Sequence, residues 1–120
     1  MKLKIFQVDA FTNKVFGGNP AAVCILDKWI PTTLMQQIAA ENNLAETAFA
    51  VENENFHEIR WFTPKVEVDL CGHATLATAH VLFNYYKSDL NQLKFHSYLS
   101  GSLSVTKNKE LLTLNFPCDY

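Results

Sequence analysis

The amino-acid sequence predicts an α+β domain in which a mixed, curved sheet wraps around a central apolar helix at about residues 72–86. Three observations carry this reading. Short apolar and β-branched runs recur between polar turns and read as about eight strands. Only two segments keep helical spacing, one after Pro31 and one from Gly72 to Tyr86. The second is apolar nearly all round (Ala74, Leu76, Ala77, Ala79, Val81, Leu82), and its nearest charge, Lys87, falls just past its end. A helix without a polar face must be covered on most sides, and a sheet curled around it would do so.

In chain order, Leu3 to Asp9 reads as a strand with Leu3, Ile5 and Phe6 directed to the core. Residues 13–20 (NKVFGGNP) form a loop, because Gly17, Gly18, Asn19 and Pro20 are strong turn residues. The short apolar run Ala21 to Leu26 is a buried strand. Pro31 suits the first turn of a helix, where its missing N–H costs nothing. Leu34, Met35, Ile38 and Ala39 follow, and Asn42 and Asn43 stop it. Thr47 to Val51 and Phe56 to Phe62 make a hairpin around Glu52–Asn55. Pro64 ends its second arm, and Val66 and Val68 suggest a brief strand before Leu70. After the apolar helix, Gln92 to Leu99, Leu103 to Lys107 and Leu111 to Phe116 read as three antiparallel strands. Gly101 and the tract 107–109 supply their turns. No repeat, low-complexity tract or linker interrupts the 120 residues, which suit one compact domain.

Composition narrows the function classes. With 48% hydrophobic residues the chain can build a core, so disorder is not expected. The net charge is −2 and the ten basic residues are scattered, which argues against binding to nucleic-acid phosphates. No run approaches the ~20 apolar residues that span a bilayer. Lys2 and Lys4 imitate the charged start of a signal peptide, but Gln7, Asp9, Thr12 and Asn13 break any apolar region after them. A cytoplasmic protein is expected. Cys24, Cys71 and Cys118 are odd in number and widely spaced, with neither a CxxC pair nor Cys/His metal spacing. Reduced thiols and no metal site are expected. His57, His80 and His96 lie in different elements and read as surface or core residues; Trp29 and Trp61 read as core or domain-contact residues.

Chemistry concentrates in three segments. Glu46 lies between Leu44-Ala45 and Ala48-Phe49 at the start of an apolar strand. A carboxylate held in an apolar pocket is tuned for proton transfer, whereas one at a strand end can simply face water. Glu41, by contrast, reads as plain helix surface. In the second segment, Leu70-Cys71-Gly72-His73-Ala74-Thr75, a glycine opens the apolar helix. Unpaired amides at a helix start favour a carboxylate or a developing oxyanion. Gly72 admits a ligand close to the backbone, and His73 can relay a proton. The alternative is an ordinary helix start with a partly exposed His. Cys71 precedes these amides, which favour a thiolate, but free Cys is most often buried, and that inert reading is preferred here. The third segment, Phe16-Gly17-Gly18-Asn19-Pro20, reads as a structural turn that could present the amide of Asn19 to a ligand.

Together these segments resemble the phenazine-biosynthesis-like (PhzF) family. DAFTNKVFGGNPAAV, IAAENNLAETAF, IRWFTPKVEVDLCGHATLATAHVL and LTLNFP look like its successive N-terminal signatures, in order and over nearly the whole chain. The resemblance implies a diaminopimelate-epimerase-like fold of two similar domains with the active site in the cleft between them. It implies Glu46 as the catalytic glutamate and His73 as its catalytic partner. It implies Asn19, Pro20, Gly72, His73 and Thr75 as substrate contacts, and Cys71 as a secondary thiol where related epimerases place a catalytic one. The implied reaction is proton abstraction and return at carbon on a small carboxylic acid, without metal or organic cofactor. The family runs to about twice this length, so the chain is expected to be the N-terminal half of a cleft. Alone it would be inactive and self-associating through the open face, with the second domain as its missing partner. A non-catalytic ligand-binding or interaction domain is the alternative.

Overall fold

Strand and helix signals convert into structure with small shifts at the ends. The structure, a computed structural model, describes residues 3–8, 20–109 and 111–115. The strands are β1 (Ile5–Val8), β2 (Ala21–Leu26), β3 (Glu46–Asn53), β4 (Phe56–Phe62), β5 (Glu67–Val68), β6 (Gln92–Ser97), β7 (Gly101–Asn108) and β8 (Leu111–Asn115). The helices are α1 (Thr32–Asn42) and α2 (Gly72–Tyr85). All the strands join one mixed sheet in the order β1-β2-β3-β4-β6-β7-β8, with β5 added to β4. Two neighbouring pairs, β2–β3 and β4–β6, run parallel; the others are antiparallel.

Strand alternation sorts the core onto two faces. On the inner face, Ala48, Ile59, Trp61, Leu93, Phe95, Leu103 and Val105 pack on Ala74, Ala79, Leu82 and Phe83 of α2. Ala21 and Val23 of β2 meet Ala77 and Val81 of the same helix. The outer face carries α1, whose Met35 and Ala39 cover Cys24, Leu26, Phe49, Val51 and Phe62. The curved sheet thus holds α2 inside and α1 outside. Small side chains at positions 74, 77 and 79 let the helix lie close to the strands.

The capping residues explain where the helices stop. Pro31 stands one position outside α1 as its cap rather than in its first turn; its carbonyl accepts the N–H groups of Leu34 and Met35. Asn43 ends α1 in the left-handed region at φ 53°, where Asn is tolerated better than most residues. Gly101 turns the chain at φ 90°, which strains any residue with a Cβ.

Two expectations are corrected. In β1 the core-facing residues are Phe6 and Val8, and Ile5 is 45% exposed. Leu3 shares the outer side and reaches the α1 cluster, while Ile5 stays exposed among the described residues. A strand of four residues satisfies either parity, and only its pairing with β2 decides which side is inward. The helix that reads as apolar nearly all round also carries an exposed stripe of His80, Asn84 and Tyr85, while Ala79, Val81, Leu82 and Phe83 are buried. Asn84 folds back on this stripe, its Nδ2 donating to the His80 carbonyl at 2.6 Å. No helix among the described residues is long and apolar enough to cross a membrane.

Candidate functional site

Glu46, the start of α2 and Pro20, the one described residue of the third expected segment, lie at one end of the sheet. β2 and β3 run parallel with Ala21 opposite Glu46, so Pro20 and Glu46 are brought side by side from distant parts of the chain. Glu46 is the first residue of β3 and is half-buried. Alternation puts it on the same face as Ala48, the face that packs on α2. Thr47 points the other way and accepts a hydrogen bond from Asn42 Nδ2 at the end of α1 (3.3 Å), which pins the parity of the strand. The carboxylate therefore faces the helix and not the α1 side.

The start of α2 lies beside it. Cys71 caps the helix in an extended conformation, and its Sγ accepts the N–H of Ala74 at 3.4 Å. The thiol is pushed up to about 11, chiefly by burial. The N–H groups of Ala74 and His73 oppose that rise, while the charge of Glu46 adds to it, which places Glu46 within electrostatic reach of the helix start. At neutral pH Cys71 is a neutral thiol with a structural bond. Gly72 and His73 follow it, both half-buried. The backbone at Gly72 is not left-handed, so what glycine offers there is lack of bulk.

Thr75 behaves differently from the other expected ligand contacts. It is fully buried, and its hydroxyl is engaged inside the protein, donating to the Cys71 carbonyl at 2.7 Å and accepting from Trp61 Nε1 at 2.9 Å. It fastens the helix start to β4. Trp61 is likewise fully buried and belongs to the core, not to a domain contact. Asn19, with Phe16, Gly17 and Gly18, lies outside the described residues, as does Cys118.

The remaining candidates stay apart. His57 is buried at the other end of β4, where burial holds its imidazole below the ordinary range. His80 and His96 are exposed, and Glu41 is surface on α1. Among the described residues, no three His, Cys, Asp or Glu side chains gather as a metal ion would require.

Two contributors carried no role in the sequence reading. Trp61 holds Thr75, and Arg60 beside it grips Glu67 in the strand that leads into the helix start. A lone Arg in the apolar strand IRWF, followed by the carboxylates of KVEVD, is the sequence signal by which the second pair could have been found.

A mixed sheet curled around an apolar helix, with a half-buried carboxylate on the face that packs on that helix, is a diaminopimelate-epimerase-like fold. A predicted epimerase from Pseudomonas aeruginosa shares this fold, with a TM-score of 0.71 at 21% identity. The chain belongs to the phenazine biosynthesis-like (PhzC-PhzF) protein family, whose model matches residues 8–118. It is 54% identical over 120 residues to an uncharacterized isomerase of Pseudomonas aeruginosa, covering 100% of this chain and 46% of that one. It is 49% identical over 125 residues to a phenazine biosynthesis-like domain-containing protein of Bos taurus, covering 98% of this chain and 43% of that one. A crystal structure of a PhzF-family protein from Enterococcus faecalis superposes with a TM-score of 0.86 at 56% identity, over 93% of this chain and 43% of that one. The chain thus spans less than half the length of these relatives.

Proposed function

We propose that this chain supplies one wall of the active site of a cofactor-independent isomerase that moves a proton on a small carboxylic acid. Glu46 takes the proton from an acidified carbon and returns it at another position or on the other face. The N–H groups at Gly72 and His73, with the imidazole of His73, hold the substrate carboxylate or the negative charge that develops when the proton leaves. Pro20 borders the substrate beside Glu46, with Asn19 as a further expected substrate contact. A second domain of the parent protein closes the cleft and excludes water. Cys71 caps the helix and takes no proton, because a thiol that titrates near 11 is a poor base at neutral pH. The observation that carries this reading is the parallel register of Ala21 with Glu46, which turns the carboxylate toward the start of α2. The isomerase names of the bacterial relatives support the reaction class.

The test is solvent-deuterium incorporation into a panel of amino and unsaturated carboxylic acids, followed by NMR with the full-length parent protein. Glu46→Gln should lower exchange by about 10²–10⁴-fold while the protein stays folded, the usual contribution of a general acid–base group. Exchange at the wild-type rate in that variant removes Glu46 from the mechanism.

A further inference from the structure

Adjacent residues of β4 hold the approach to α2 from opposite faces of the sheet. Trp61, on the inner face, bonds to Thr75 in the first turn of the helix at 2.9 Å. Arg60, on the outer face, grips Glu67 with two hydrogen bonds, Nε to Oε2 and Nη2 to Oε1, both 2.8 Å. Each of the two side chains is only 16% exposed. Nη2 also donates to Thr32 Oγ1 (3.2 Å) and Tyr98 Oη (3.4 Å), and Tyr98 Oη donates to Glu67 Oε1 (3.0 Å). The guanidinium lies 5.0 Å from the ring of Tyr98, 5.5 Å from Phe62 and 5.7 Å from Trp29.

Between Arg60 and the helix start the chain has little slack. The turn from β4 to β5 is closed by Thr63, whose N–H donates to the Val66 carbonyl at 2.8 Å and whose hydroxyl accepts the N–H groups of Lys65 and Val66. β5 pairs with β4 through Phe62↔Glu67 and Trp61↔Val68, and then only Asp69 and Leu70 precede Cys71. A two-residue strand has too few ladder bonds to hold its own place. The side-chain fork on Glu67 provides that hold. Glu46 is referred to the same strand, because β3 pairs with β4 through Thr47↔Phe62 and Ala48↔Trp61.

We propose that Arg60 is a positioning residue for the candidate site: its two-pronged hold on Glu67 sets where Cys71, Gly72 and His73 stand relative to Glu46. The functional meaning of that distance rests on the isomerase reading above. A guanidinium suits the task because it can fork a carboxylate while stacking on aromatic rings, which a Lys ammonium cannot do.

Cys71 is a built-in reporter of this geometry. Its alkylation by iodoacetamide is followed by peptide mass spectrometry from pH 7 to 10, in a Cys118→Ser background. Cys24 is fully buried and stays silent. The proteins compared are the background, Arg60→Lys, Glu67→Gln, Lys87→Met as the distant ion-pair control and Leu103→Ala as a core control. Arg60→Lys and Glu67→Gln should raise the rate at Cys71 by ~10-fold or more and lower the pH midpoint toward the ordinary thiol value of ~8.5, since a thiol titrating one pH step lower holds ~10 times more thiolate. Lys87→Met and Leu103→Ala should change neither by more than ~2-fold on the same scale. A folded Arg60→Lys protein with an unchanged Cys71 profile overturns the proposal. So does a Leu103→Ala profile that matches Arg60→Lys, because general loosening would then explain both. The readout is a thiol and not turnover, so this result stands or falls separately from Glu46.

Discussion

Arg60–Glu67 and Lys87–Glu52 are the ion pairs of the described residues, and they lie at opposite ends of α2. At the front end the pair is forked and mostly buried, with Thr32 and the rings of Tyr98, Phe62 and Trp29 around the guanidinium. At the rear end a single bond of 2.6 Å joins Lys87 Nζ to Glu52, with side chains 31% and 51% exposed. The rear contact is the shorter and should matter less. Solvent screens it, and two flexible side chains lose freedom to make it. The front pair gave up much of its hydration on folding, so removing one partner leaves a charge that water reaches poorly. Length alone is therefore a poor guide to what an ion pair does.

The widest gap between the two ends should appear on truncation. Arg60→Ala should destabilise the chain by about 3 kcal/mol, the lower end of what breaking a buried pair costs. By thermal unfolding this is a fall of roughly 10 °C or more for a chain of this size. A loss below about 1 kcal/mol, the range of exposed pairs, would erase the contrast.

Acid should act on the front end next. The Arg60 guanidinium holds the Glu67 carboxyl below its ordinary value of 4.5. The folded state then binds fewer protons than the unfolded chain just below that value, so stability is full above about pH 5 and lost as pH falls through the folded value. Glu67→Gln should flatten the acid limb of a stability-versus-pH curve below about pH 5. Glu52→Gln should flatten it less, because that carboxylate is exposed. Equal flattening would show that burial does not separate the pairs.

A third difference falls nearer neutral pH and belongs to the rear end. His57 pairs across the strands with Glu52, and burial holds its imidazole below 6.5. Glu52 opposes that depression and Lys87 adds to it. Depressed in the fold, His57 contributes stability above about pH 6.5 that is lost on acidification, as the unfolded chain takes up the proton first. His57→Phe should remove the slope that begins as pH falls below about 6.5 and leave the carboxylate limb intact. A slope unchanged by this substitution assigns it elsewhere.

The smallest effect should be Lys87→Met, within about 1 kcal/mol of wild type in low salt and less at 0.5 M salt. A salt-independent loss larger than that would make the rear pair a structural equal of the front one.

Much of this architecture was legible because its signals are local. The apolar run of α2, the alternation in β3 and β4, the turn residues around Gly101 and the stop at Asn43 each follow from a few neighbouring side chains. The misreading of Ile5 has the opposite origin, since the inward side of β1 depends on its pairing with β2. Thr75 could be placed near the site by its spacing from Gly72. That its hydroxyl is taken up by Trp61 and the Cys71 carbonyl depends on a contact across 14 positions of chain.

Glu46, Gly72 and His73 stood out by residue type with their structural readings still open, Cys71 read as an inert thiol, and the family resemblance supplied the expected roles. Side-chain chemistry and short-range periodicity are properties of the sequence and determined the elements, the inner and outer faces of the long strands, and the candidate groups. The tertiary structure alone decided that β2 meets β3 in parallel with Ala21 opposite Glu46, and that the carboxylate thereby turns toward the start of α2. It also decided that Arg60 finds Glu67. Pairing between strands is a choice among distant partners, made by which arrangement buries the apolar side of α2, and no single stretch of chain contains that sum.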